Sequence, residues 1–216
     1  MNKKIFIVDD HPVFRYGLSQ LIGREIGLEV CGEAENAQKA LQLIRKLKPD
    51  LVIVDIGLDG PSGLELTKDI VAFGMNIPVL IVSMYDESIY AERALRLGAR
   101  GYVMKQQTYE NVITAIRKIL NGGIYLSEQM SEKIINKAIS GIANNSENLL
   151  SILTNREIEV LRLIGSGKSV REISQALNLS INTINTYRER IKNKLNLKNN
   201  FELQKYAIRA IDTKLI

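Results

Sequence analysis

Cysteine is all but missing from this 216-residue chain: Cys31 stands alone, so no intramolecular disulfide can form. A reducing compartment fits and a disulfide-stapled scaffold does not. Long apolar runs are missing too. The first, residues 5–8, is interrupted at once by Asp9 and Asp10, too short for the core of a secretion signal and far too short to span a membrane. A cytoplasmic protein with no membrane partner is expected. Histidine occurs once, at His11 beside the acidic pair. Pro12 follows it and suits a first helical turn, so a structural role is favoured over a ligand or catalytic one. What remains is ordinary: 45% hydrophobic and 25% charged residues, in a length that suits one large domain or two small ones.

Charge is unevenly placed. Residues 149–216 hold 12 Lys/Arg against 6 Asp/Glu, a net +6, which leaves −1 for residues 1–148 of the chain's +5. A basic second part points to an acidic partner for that part alone. Charge by itself fits an ordinary solvated surface equally well.

The first half alternates two patterns. Short apolar runs at residues 5–8, 28–32, 51–54, 79–82 and 101–104 read as strands buried on both faces. Between them, helical patterns are expected over 13–22, 37–47, 63–73, 88–97 and 109–120. In the second of these, Ala37, Ala40, Leu41, Ile44 and Leu47 recur at spacings of three and four, one face of a helix. Strand and helix repeated five times predict an α/β, flavodoxin-like (βα)5 domain. A helix over about 127–139 follows, then residues 141–148, polar and without apolar period, which read as a linker. The remainder predicts an all-α domain of four helices, about 154–165, 169–177, 181–195 and 200–211.

In an open parallel sheet, ligands bind beyond the carboxyl ends of the strands. Polar residues stand at those ends: Asp9 and Asp10 after the first strand, Asp55 after the third, Ser83 at the fourth and Lys105 at the fifth. Three carboxylates drawn together repel one another and call for a cation, and an all-oxygen set suits Mg2+. The cation leaves one carboxylate able to attack a phosphoryl group. Lys105 would neutralise phosphoryl oxygens and the Ser83 hydroxyl would donate to another. A single Asp after a strand reads more simply as an N-cap; five polar positions in register with the strand ends do not.

With Asp9-Asp10, the run 51–55, Gly60-Pro61-Ser62-Gly63-Leu64, Val82-Ser83 and the run 101–105, residues 1–121 resemble the receiver domain of bacterial two-component response regulators. The resemblance implies Asp55 as phosphoacceptor, with Asp9, Asp10, Asp55 and the backbone carbonyl of Gly57 around Mg2+. It implies Ser83 and Lys105 as phosphoryl sensors, and Tyr102 as an aromatic that turns inward when Ser83 moves. Two residues depart from the common pattern. Gln106 replaces the proline that often follows the lysine, and cis without proline costs roughly 2.5–4 kcal/mol, so the geometry of the Lys105–Gln106 bond stays open. Met84 replaces a small residue after Ser83; with Tyr85 beside it, it is expected to hinder water that attacks the phosphoryl group.

In the second half, Thr154-x-x-Glu157 and Ser169-x-x-Glu172 fit the capping box and mark two helix starts. Asn178-Leu179-Ser180 makes a turn before a third helix that carries Asn182, Asn185, Arg188, Glu189, Lys192 and Lys194. Two helices joined by a short turn, the second basic, describe a helix-turn-helix for the DNA major groove. Residues 151–211 resemble the LuxR-type helix-turn-helix of the NarL/FixJ response-regulator subfamily. Asn182 is a DNA-contact candidate from its place on that polar face; the resemblance turns Asn185, Thr186 and Glu189 to bases and sets Arg188, Lys192 and Lys194 nearer the backbone. Asn185 and Tyr187 stand where the family usually has lysine and histidine, so operator sequences do not carry over. The fourth helix, with Leu203, Tyr206, Ala207 and Ala210 on one face, corresponds to the family's dimerisation helix.

The organisation expected is a receiver over 1–121, a helical segment and linker over 122–150, and a DNA-binding domain over 151–216. The expected function is transcription regulation: a sensor histidine kinase phosphorylates Asp55, and the phosphorylated homodimer binds double-stranded DNA. Two alternatives are a DNA-binding regulator indifferent to phosphorylation, and an aspartyl-phosphate hydrolase. The second conflicts with the adjacent placement of Asp9 and Asp10, since such enzymes space their carboxylates Asp-x-Asp.

Overall fold

A computed structural model describes residues 2–58, 61–140 and 152–212. The expected linker over 141–148, and Gly60 of the Gly60–Leu64 motif, lie outside the described residues. Two compact units divide at 139/140.

In the first unit, strands β1 (Lys3–Val8), β2 (Leu28–Ala34), β3 (Leu51–Val54), β4 (Val79–Ser83) and β5 (Gly101–Met104) form one sheet in the order β2-β1-β3-β4-β5. Every pairing is parallel. That is the doubly wound flavodoxin-like order. Helices α1 (Pro12–Gly23), α2 (Ala37–Leu47), α3 (Gly63–Ala72), α4 (Glu87–Arg96) and α5 (Tyr109–Leu120) connect the strands. On one sheet face Ile5, Ile7, Leu51, Ile53, Leu80, Val82 and Val103 pack with Leu18 and Ile22 of α1 and Val112, Ile116 and Ile119 of α5. Side chains alternate along a strand, so Phe6, Val8, Val52, Val54 and Ile81, all fully buried, serve the opposite face. Burial on both faces is why these strands read as unbroken apolar runs.

Local signals place the helices. Asn36 caps α2 by accepting from the Lys39 amide, and Ser62 and Glu65 form a capping box at α3. Gly63 is required there: a Cβ would lie 1.9 Å from the carbonyl oxygen of Asp55. The glycine lets α3 begin directly against the loop that presents Asp55. After α5, Tyr125 forms a parallel bridge to Gly101 on the free edge of β5. Helix α6 (Glu128–Ser140) follows. The sequence reading sets residues 122–150 apart from both domains, whereas residues up to 139 group with the sheet.

The second unit contains α7 (Asn155–Gly165), α8 (Val170–Ala176), α9 (Ile181–Leu195) and α10 (Asn200–Asp212). Capping boxes at Thr154/Glu157 and Ser169/Glu172 start α7 and α8, and Ser180 caps α9. Asn178 takes the left-handed conformation (φ 52°) that turns α8 into α9. Ile158, Leu161, Ile173, Ile184, Ile191, Leu203 and Ala207 are buried. The apolar face of α10 packs inward. Leu203, Ala207 and Ala210 are 0–2% exposed, and a Cβ on Gly165 of α7 would lie 2.6 Å from the Ala207 carbonyl oxygen. That face is consumed by the domain's own core; the apolar side chains α10 presents to solvent are Phe201 and Ile208.

An ion pair on a buried carboxylate ties α7 to α9. Glu157, 2% exposed, accepts from the Thr154 amide (2.6 Å) and from Lys194 Nζ of α9 (2.7 Å). Burial pushes the Glu157 carboxyl up, but Lys194 and Thr154 outweigh it and hold it below its ordinary value of 4.5. A carboxyl depressed by folding adds stability above its unfolded pKa and loses it as pH falls through the folded value. Glu157→Gln should therefore lower the calorimetric stability of this domain at pH 7 by about 1–3 kcal/mol. The deficit relative to wild type should shrink as the pH drops below 4.5. A deficit that does not change with pH contradicts this assignment.

Candidate phosphoacceptor site and nucleic-acid interface

β1 lies between β2 and β3, so the chain leaves it in opposite senses and a crevice opens beyond the strand ends. Asp9 leaves β1 with its amide on the Ala34 carbonyl, and Asp55 leaves β3 with its amide on Val8. Backbone pairing thus aims both carboxylates into the crevice. Ser83 ends β4 and Lys105 follows β5, its amide on the Ser83 carbonyl (2.8 Å).

Asp55 is 3% exposed. Its Oδ1 accepts from Ser83 Oγ (2.6 Å) and from the Gly57 amide (3.3 Å), and its Oδ2 from Lys105 Nζ (2.6 Å). The same ammonium lies 2.7 Å from Asp9 Oδ2 and over the Phe14 ring. Asp9 is also buried, and desolvation, followed by the neighbouring Asp55, raises its pKa against the pull of Lys105. Asp10 is less enclosed, yet its Oδ1 is inaccessible and has no hydrogen-bond partner among the described residues. His11 Nδ1 lies 2.6 Å away without hydrogen-bond alignment. Oxygens of Asp9, Asp10 and Asp55 and a nitrogen of His11 fall within 4.8 Å of one another, a group that could hold a metal ion. An orphaned carboxylate oxygen beside two buried carboxylates is what a hard cation would satisfy.

Tyr102 is turned inward, 1% exposed, with its hydroxyl donating to the Tyr85 carbonyl (2.8 Å). Burial, chiefly, raises its pKa far above the ordinary tyrosine value, so the group is a donor at any working pH. Every peptide bond among the described residues is trans, which settles the Lys105–Gln106 geometry. Met84 is exposed (57%). Tyr85 flanks Gly57, where an added Cβ would meet its ring at 3.5 Å and Asp55 Oδ2 at 3.8 Å.

On α9, Ile184, Ile191 and Leu195 face the core, while Asn182, Asn185, Thr186 and Glu189 are exposed. Thr186 Oγ1 donates back to the Asn182 carbonyl, and Arg188 approaches Asn185 Oδ1 at 3.5 Å with its Nε buried and without a partner among the described residues. Lys192 pairs with Glu189 (2.8 Å), and Lys194 is committed to Glu157. Three residues escaped the sequence reading. Ile181 opens α9 at 48% exposure, and it shares a stripe with Asn185 four residues on. Tyr85 enters the sequence pattern only as a neighbour of Met84. Glu87 was read as part of no motif, although a carboxylate at 8% exposure marks a built contact.

Residues 5–117 match the response regulator receiver domain family, and residues 151–207 match the family of bacterial regulatory proteins of the luxR type. The oxygen regulatory protein NreC of Staphylococcus carnosus is 35% identical over 210 residues, covering 95% of this chain and 97% of that protein. Response regulator GacA of Pseudomonas syringae is 34% identical over 206 residues, 95% of each chain. Among solved structures, RcsB from Salmonella enterica serovar Typhimurium, bound to promoter rprA with phosphomimetic BeF3−, superposes with a TM-score of 0.62. It is 26% identical over 96% of this chain and 98% of that one. A LuxR-family regulator from Aurantimonas sp. SI85-9A1 gives a TM-score of 0.60 at 35% identity over 64% of this chain and 99% of that one. The chain belongs to the NarL/FixJ (LuxR-type) family of two-component response regulators, which join a receiver domain to a C-terminal helix-turn-helix domain.

Proposed function

We propose that this regulator acts in the cytoplasm. A sensor histidine kinase, or a small phosphodonor, supplies the phosphoryl group to Asp55. An Asp55 carboxylate oxygen attacks phosphorus, the bond to the donor breaks, and the leaving group departs with its electron pair. The observation that supports this most is the setting of Asp55, whose two oxygens already face a hydroxyl, an amide and an ammonium. Lys105 and Ser83 would turn from the free carboxylate to the phosphoryl oxygens, where charge-assisted bonds are stronger. Asp9, Asp10, Asp55 and the Gly57 carbonyl would hold Mg2+, which supplies charge neutralisation when bound. Tyr102 would lock the loop after β4 once Ser83 is drawn to the phosphoryl group.

The phosphorylated protein would act as a homodimer on double-stranded promoter DNA. Two linked reading domains gain affinity through effective concentration without new base contacts. Helix α9 would enter the major groove. Asn182, Asn185, Thr186 and Glu189 would face base edges, with Arg188, Lys192 and Lys194 towards phosphates. Lys192 and Lys194 would do so while sharing Glu189 and Glu157, so Arg188 would carry more of the backbone contact.

With acetyl phosphate or beryllofluoride, wild-type protein should dimerise in sedimentation and bind selected genomic fragments about 10- to 100-fold more tightly. Asp55→Asn should show neither response. A wild type that binds DNA equally with and without phosphodonor contradicts the reading. The exposed Ile181 suits the C5-methyl of a thymine next to an adenine read by Asn185. Replacing that thymine with deoxyuridine removes one methyl and should weaken wild-type binding about fourfold, while leaving Ile181→Ala unaffected. Equal sensitivity of both proteins takes Ile181 off the reading face.

A further inference from the structure

Helix α6 is fastened to the two elements that carry the switch residues. The loop between β4 and α4 starts at Ser83, passes through Tyr85, whose carbonyl accepts the Tyr102 hydroxyl, and ends at Glu87. Glu87 is buried but does not cap its own helix; Asp86 does that by accepting from the Ser88 amide. Its Oε1 instead accepts from the backbone amide of Ser127 (2.9 Å), the residue just before α6. Ser127 in turn caps the Met130 amide through Oγ (3.1 Å), and Met130 is 3% exposed. A helix start carries unpaired amides and partial positive charge, so a carboxylate there is a favourable fastening.

The other side of this start is held as well. Tyr125, two residues before Ser127, receives the Tyr102 amide on its carbonyl (3.0 Å) and gives its own amide to Arg100 (3.0 Å). It therefore adds to β5 at the residue that carries the switch hydroxyl. Further along, Lys133 reaches the Ser88 carbonyl (3.5 Å) and Lys137 pairs with Glu92 (3.0 Å). These last contacts are partly exposed and worth little alone. In the Glu87–Ser127 bond the carboxylate is buried and the amide half-buried, and Glu87 lies four residues from Ser83 along the chain.

We infer that Glu87 is a positioning residue that couples the state of Asp55 to the attachment of α6, the helix that leads on towards the DNA-binding unit. When Ser83 and the Tyr85 carbonyl shift with the phosphoryl group, the Glu87 carboxylate shifts with them and changes its hold on the start of α6. The inference rests on phosphorylation of Asp55 as proposed above, and goes beyond it by naming the output contact.

Hydrogen exchange of the full chain, read by mass spectrometry with and without beryllofluoride and Mg2+, tests this. In wild type, protection should change both in residues 51–58 and in residues 127–140. In Glu87→Ala, residues 127–140 should exchange about tenfold faster and no longer respond to beryllofluoride, while residues 51–58 still respond. That retained response shows that the receiver is folded and occupied. Glu87→Gln keeps an acceptor oxygen and should restore most of the coupling, which a merely bulky or packing role of Glu87 also predicts. Ser127→Pro compared with Ser127→Ala separates the two: both lose the Oγ cap on Met130, but only the proline deletes the amide that Glu87 accepts, so only Ser127→Pro should uncouple α6 as Glu87→Ala does. If α6 responds to beryllofluoride in Glu87→Ala as in wild type, or does not respond in wild type while residues 51–58 do, the inference is wrong. If residues 51–58 fail to respond in wild type, the phosphorylation reading falls and takes the inference with it.

Discussion

The Lys105 ammonium between Asp9 and Asp55 is the interaction on which the first domain is organised. Two carboxylates at the ends of adjacent strands would drive β1 and β3 apart if left alone in a buried crevice. A single cation 5% exposed holds them together, delivered by β5 from the far edge of the sheet. Breaking a buried pair by removing one partner is strongly destabilising. On the proposed function, new negative charge at Asp55 would redistribute Lys105, and with it the end of β5. Because Tyr102 of β5 donates to the Tyr85 carbonyl, such a change would have a mechanical outlet at the loop after β4.

Much of this was legible in the sequence because strand ends are chemically marked. Asp9, Asp10, Asp55, Ser83 and Lys105 each follow an apolar run, and the sheet order brings those ends to one edge whatever the lengths of the helices between them. The capping boxes at Thr154 and Ser169 marked helix starts to within a residue, since their chemistry is local. What could not be read depends on contacts between distant segments. Glu87 looks like any first-turn acid until Ser127 is placed 40 residues away in sequence and 2.9 Å away in space. The placing of the Tyr85 ring against Gly57 is hidden for a second reason: side-chain direction in a loop does not follow a period.

The second domain shows how one pattern supports two different readings. Leu203, Ala207 and Ala210 form an apolar stripe that suits either a dimer contact or a core face. The bare Gly165 opposite decides for the core, since a glycine permits helices to approach within contact distance. Likewise Lys194 adds to the positive charge of α9, yet its head is bound to a buried carboxylate and stabilises the fold. Net charge identifies a domain that favours an acidic partner; it does not identify which lysines touch that partner.

Trapping the acyl phosphate tests the central claim most directly. Protein incubated with acetyl phosphate and Mg2+ is treated with borohydride, which reduces a phosphoaspartate to homoserine, and is then mapped by tandem mass spectrometry. The account predicts homoserine at position 55 and unchanged Asp9 and Asp10. Homoserine at either of those residues, or none anywhere, would contradict it.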